Sequence, residues 1–148
     1  MNNLHLVLLA FSGGVFLAVQ GGFNSQLSNQ LQNPILASLI AFAFSALFAG
    51  IIVLLYSRQA PSAEQIQHIP VYLWFSGAFF SVIGISMYYY TIPRLGISNM
   101  IALGLGGQLV FSTLAGHFGW FNLPQDPIST AKLFGLLAMI TGIVLINK

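Results

Sequence analysis

Five apolar stretches take up nearly the whole chain, and no soluble fold could bury them. They run over residues 4–23, 35–56, 71–93, 97–116 and 128–147. The first four contain no Asp, Glu, Lys or Arg, and the fifth contains only Lys132, near its start. A helix rises about 1.5 Å per residue, so about 20 residues cross a hydrocarbon core about 30 Å thick. The chain therefore reads as an all-α integral membrane protein, a single domain of five transmembrane helices over residues 1–148. Its first partner is the lipid bilayer.

Composition removes most other classes. Charged residues make up 4% of the chain, against about 25% in soluble domains, and the mean hydropathy is +0.86. A net charge of +2 with no basic patch gives nucleic acid nothing to bind. The absence of cysteine excludes disulfides and thiolate metal sites. No cluster has nucleophile–base or metal-ligand character, so neither an enzyme nor a metal or cofactor is expected. Gly104-Leu105-Gly106-Gly107 is a weak dinucleotide-like match lying inside a span. The leader Met1-Asn2-Asn3 lacks the basic residues of a secretory signal, so the first span reads as a retained helix.

The four basic residues carry a second message. With five spans, Arg58 and Lys132 fall on one side and Arg94 and Lys148 on the other. Excess Lys and Arg normally orient a membrane protein; here the count is balanced and assigns no orientation. Connections read as follows. Residues 24–33 are polar and uncharged, and Pro34 suits the first turn of span two. Ser62-Ala63-Glu64-Gln65 has capping-box spacing before a short interfacial helix over residues 63–68. Pro93-Arg94-Leu95-Gly96 ends span three, and Ser98 or Asn99 is placed to cap span four. Trp120, Phe121, Pro124 and Pro127 make an interfacial fourth connection.

Several helix faces stand out. Ala10, Gly14, Ala18 and Gly22 recur every fourth residue, the spacing that lets two membrane helices approach closely. Trp74, Gly77, Ser81, Gly84 and Tyr88 share one face of span three, which serves either packing or a cavity lined by small residues. Gly104, Gln108, Ser112 and Gly116 share a face of span four. Gln108 lies only about 3 Å from that span's midpoint by helical rise, and its amide needs partners that lipid lacks. Either a neighbouring helix or a solute supplies them. Gln20 and Asn24 fall near the end of span one. The only acids, Glu64 and Asp126, are in connections, so no carboxylate relay lies within a span. His5 and His117 lie near span ends and read as interfacial residues.

Taken in order, these pieces resemble the YdcZ-like family of the drug/metabolite transporter superfamily. The resemblance is carried by Val19-Gln20 with Asn24, Pro34 through Phe42, Pro70-Val71-Tyr72-Leu73-Trp74 with Gly77, and Pro93-Arg94-Leu95-Gly96. It continues through Gly107-Gln108-Leu109, His117-Phe118-Gly119, and Lys132 with Gly135 and Gly142. It implies a five-helix unit resembling half of a ten-helix transporter, in which two halves of opposite orientation enclose the solute path. Similar proteins often carry an Asp where this chain has Gly116, with His117 adjacent.

The resulting expectation is a small-solute secondary transporter or exporter of a bacterial inner membrane, acting as a dimer by alternating access. Its partners are a small-molecule solute and either a second copy, in antiparallel arrangement, or a similar protein in a heterodimer. Ser81, Tyr88, Gln108, Ser112 and Asn24 are expected along the substrate path, and Ala10, Gly14, Ala18 and Gly22 at a helix contact. The solute is neutral or weakly cationic and held in part by aromatic faces. The alternative class is a non-transporting accessory membrane subunit.

Overall fold

The computed structural model describes residues 3–56 and 61–146, and these form helices and turns without a strand. Six α-helices follow in order: α1 (Leu4–Leu31), α2 (Pro34–Tyr56), α3 (Ala63–Gln67), α4 (Ser76–Leu95), α5 (Ile97–Phe118) and α6 (Thr130–Ile146). Short 3-10 turns occupy Val71–Trp74 and Trp120–Asn122. Four segments are long and apolar enough to cross a membrane: Leu4–Leu31, Pro34–Tyr56, Val71–Leu95 and Ile97–Phe118. The fifth, α6, is apolar but has only 17 residues. Of the four basic residues, Arg58 and Lys148 lie outside the described residues.

The described helices group into two compact units, one ending at Arg94 and the other beginning at Leu95. In the first, α1 is longer than its apolar stretch. It continues through the polar segment to Leu31, 28 residues in all, where the sequence alone suggests a connection from residue 24. Asn, Gln and Ser are merely neutral in helices, and tertiary packing decides their state. Here Ser25 and Ser28 are buried, and the Ser25 hydroxyl donates to the Gly22 carbonyl at 2.9 Å.

Gln32 ends α1 in the left-handed region (φ 52°), with its N–H directed to the Asn29 and Ser28 carbonyls. One residue later, the Asn33 side chain accepts from the Leu36 N–H at 3.0 Å and so caps α2. Pro34 fills its first position, where the missing N–H costs nothing. The core of this unit is small: Ala37 and Ala41 of α2 leave room for the ring of Tyr89, with Leu27, Ile85 and Tyr88 around it. Away from that core, residues 4–17 of α1 and 43–56 of α2 are exposed. The capping box at α3 is complete: the Ser62 hydroxyl accepts from the Gln65 N–H at 3.2 Å, and the Gln65 side chain accepts from the Ser62 N–H at 2.9 Å.

Two sequence expectations are corrected here. Trp74 lies in the 3-10 turn, and Phe75 separates it from α4, so it leaves the helical face it was expected to share with Gly77, Ser81, Gly84 and Tyr88. Proline before the segment starts a turn but provides no cap from which α4 could begin earlier. Gly96 (φ 81°), rather than Ser98 or Asn99, is the N-cap of α5, and no side chain bonds there.

In the second unit, α5 and α6 pack closely where Gly106 faces Ile143; a Cβ placed on Gly106 would meet the Ile143 Cδ1 at 2.8 Å. Gly119 closes α5 in the left-handed conformation (φ 65°), which only glycine adopts without strain. Phe121 and Asn122 also have positive φ, at 61° and 57°, so the chain reverses sharply. The returning loop bonds back to the end of α5. The Asp126 N–H donates to the Gly116 carbonyl at 2.8 Å, and the Ile128 N–H donates to His117 Nδ1 at 3.3 Å. Ser129 caps α6, its hydroxyl accepting from the Lys132 N–H at 3.2 Å.

Candidate functional site

Each unit holds one polar feature. In the first unit it centres on Tyr89, which is 1% exposed. Its hydroxyl accepts from the Asn24 amide at 2.8 Å and from the Gln20 amide at 3.2 Å. Gln20 and Asn24 are one turn apart, so both reach the same oxygen. Nearby, Ser38 of α2 donates to the Ile35 carbonyl at 2.8 Å, which leaves it to accept from Ser86 of α4 at 2.9 Å.

By helical rise, Tyr89 stands about 9 Å from the end of α4 and Ser38 about 6 Å from the start of α2. The cluster therefore lies toward the end of the unit that carries the α1–α2 turn. A small polar pocket of about 70 Å³ adjoins it, lined by Ser28, Asn29, Gln32, Pro34, Tyr89, Tyr90, Pro93 and Arg94. That volume suits about two waters. Arg94 stacks on the Tyr90 ring at 3.6 Å and donates to the Tyr90 carbonyl.

The second unit holds a larger feature. A half-open cleft of about 570 Å³ runs between α5 and α6, within the range of about 300–1,000 Å³ typical of small-molecule sites. Leu109, Ser112, Thr113 and Gly116 line it from α5, and Lys132, Gly135, Leu136 and Met139 from α6. Glycine makes the space: a Cβ placed on Gly135 would meet nothing within 4 Å. Asp126 closes one end, folded over Gly116 so that its Cβ lies 3.7 Å from where a Gly116 Cβ would stand. Its carboxylate pairs with Lys132, whose ammonium also donates to the Pro127 carbonyl at 3.1 Å and the Asp126 carbonyl at 3.4 Å. The wall is thus mostly apolar, with two hydroxyls and one ion pair.

The residues singled out from sequence separate accordingly. Asn24 joins Gln20 in the Tyr89 cluster, and Ser112 lines the cleft, its hydroxyl donating to the Leu109 carbonyl at 3.1 Å. Tyr88 is half-buried and packs against the Ala37–Ala41–Tyr89 core. Ser81 is exposed on α4, two turns away from Tyr88. Gln108 is exposed on α5 and is not among the cleft-lining residues. Ala10 and Gly14 are exposed, and a Cβ on Gly14 would meet nothing within 4 Å; Ala18 and Gly22 are half-buried. Within the described chain, only the C-terminal half of that small-residue stripe is covered.

Sequence reasoning missed Tyr89, Thr113, Asp126 and the cleft-facing role of Lys132. The run Tyr88-Tyr89-Tyr90 was a signal for the first, but adjacent residues on a helix differ by about 100° in direction, and only packing selects among them. Nothing local announces that Asp126 folds back over Gly116.

No curated protein and no solved structure matches the chain. A family model described as "Putative inner membrane exporter, YdcZ" matches residues 5–145. With four apolar helices of membrane length and this family match over nearly its whole length, the chain is a multi-pass inner-membrane transporter protein, and it belongs to this YdcZ exporter family.

Proposed function

We propose that the protein exports a small solute as a dimer working by alternating access, and that the α5–α6 cleft forms part of the solute path. The cleft carries the reading. A cleft of about 570 Å³ is the size of a small-molecule site, and it sets two hydroxyls and an ion pair on an otherwise apolar wall. Ser112 and Thr113 are the hydrogen-bonding contacts there. Gln108, one turn before Ser112, extends the path along α5; Asn24, Tyr88 and Ser81 are the first unit's own candidates for solute contact.

In this reading the chain is a single domain with five crossings, α6 being the fifth. Its 17 residues rise about 26 Å, a little short of the hydrocarbon thickness, and Lys132 in its first turn snorkels to the headgroups. Two such units inserted in opposite orientations form the inverted pair that many secondary transporters encode in one chain. The balanced basic residues permit it. The partner is a second copy or a similar protein, and exposed Ala10 and Gly14 offer its helices a close approach.

Purified protein in liposomes is expected to move at least one solute from a broad panel of metabolites and amphipathic drugs. Silence across the panel, with the protein folded, removes the transport reading.

A further inference from the structure

Charge capacity in the cleft is lopsided although its two charged residues cancel. An ammonium has three donors, and those of Lys132 have three acceptors close by: the Asp126 carboxylate, the Asp126 carbonyl and the Pro127 carbonyl. Nothing remains on Lys132 for an anionic guest. A carboxylate, by contrast, offers about four lone-pair sites on two oxygens. Among the described residues Asp126 receives one partner, Lys132, and its side chain is 72% exposed. Of the cleft's ionic groups only this carboxylate has unfilled capacity, and it sits at the end of a wall built from Leu109, Leu136 and Met139.

We infer that the cleft binds amphipathic ammonium compounds, a protonated amine donating to Asp126 while its apolar body lies against Leu109, Leu136 and Met139. This rests on the cleft being the solute path. The Ser112 hydroxyl, whose proton goes to the Leu109 carbonyl, then accepts from a polar substituent along the body, with Thr113 beside it. An N–H donor is specified rather than positive charge alone, because the free lone pairs on Asp126 reward directional bonds. Lys132 competes with the guest for the same carboxylate, so it tunes affinity downward and eases release.

The test uses the full-length protein in nanodiscs, empty discs as the background, and three fluorescent probes of one size: a dansyl pentylammonium, its N-acetylated neutral form and a dansyl hexanoate. The ammonium is expected to bind at least about tenfold more tightly than either control. D126N is expected to abolish that preference. K132Q, which keeps a donor for the Pro127 carbonyl, is expected to tighten ammonium binding, because it removes the competitor. A purely structural ion pair behaves otherwise, with both substitutions weakening binding alike. That result overturns the inference, as does equal binding of the three probes or preference for the hexanoate. Circular dichroism of each variant in the same discs establishes the helical fold, and D126E, expected to retain the preference, gives a second carboxylate if D126N does not fold. Binding without flux in liposomes defeats the transport reading and leaves the ammonium site standing. Flux without preference for the ammonium does the reverse.

Discussion

Removing one buried oxygen from the first unit tests whether its polar cluster holds the helices together. In Tyr89→Phe the ring still fills the space between Ala37 and Ala41, but the Asn24 and Gln20 amides lose their common acceptor. Side-chain hydrogen bonds between membrane helices average about 0.6 kcal/mol and reach about 1.7. Two bonds, one of them short at 2.8 Å, place the loss at about 1–3 kcal/mol. A reversible unfolding titration in mixed micelles, followed by circular dichroism, reads this directly. Tyr90→Phe, at an exposed ring, should change stability by less than about 0.5 kcal/mol. The cycle combining Asn24→Ala with Tyr89→Phe should show coupling of about 0.5–1.5 kcal/mol, since the two changes remove one shared bond. Wild-type stability in Tyr89→Phe, or no coupling in the cycle, would falsify the claim that the hydroxyl bridges α1 and α4.

Two further outcomes follow from the packing and the charge balance. Gly106→Leu forces side-chain volume against Ile143, which already lies 2.8 Å from a Cβ at that position, and should cost about 1–3 kcal/mol in the same titration; a neutral result means α5 and α6 do not meet there. Reporters of opposite compartment preference fused to the C-terminus should both be active if the chain inserts in two orientations, as the balance of Arg58 and Lys132 against Arg94 and Lys148 allows. Activity from one reporter alone rejects an antiparallel homodimer and leaves the heterodimer.

What the sequence disclosed, and what it hid, divides along the range of the interactions. Pro34 at the start of α2, the capping box of Ser62 and Gln65, and the helix stop at Leu95-Gly96 are local devices whose chemistry acts within a few residues. So is hydrophobic continuity, which places the four membrane-length segments. The polar extension of α1 to Leu31 was hidden because its Asn, Gln and Ser residues have no strong preference of their own. Tyr89 is picked out from its two tyrosine neighbours by Ala37 and Ala41, some 50 residues earlier, and no periodicity within α4 reports that. Asp126 looked like an ordinary loop acid. Its place over Gly116 depends on a left-handed turn at Gly119, Phe121 and Asn122, and a phenylalanine rarely adopts that conformation. Gln108 was the most conspicuous polar residue of its span, yet the space between α5 and α6 opens beside Ser112 instead.

The decisive measurement is solute flux through a cleft that has been filled without disturbing its walls. Gly135 lines the cleft, and a side chain added there meets nothing within 4 Å, so Gly135→Trp places an indole in open space while leaving helix packing intact. Gly142→Trp, also unobstructed and outside the cleft lining, is the matched control. In liposomes, for any solute the wild type transports, Gly135→Trp should lower flux at least about tenfold and Gly142→Trp should not. Undiminished flux through folded Gly135→Trp contradicts a solute path along the α5–α6 cleft.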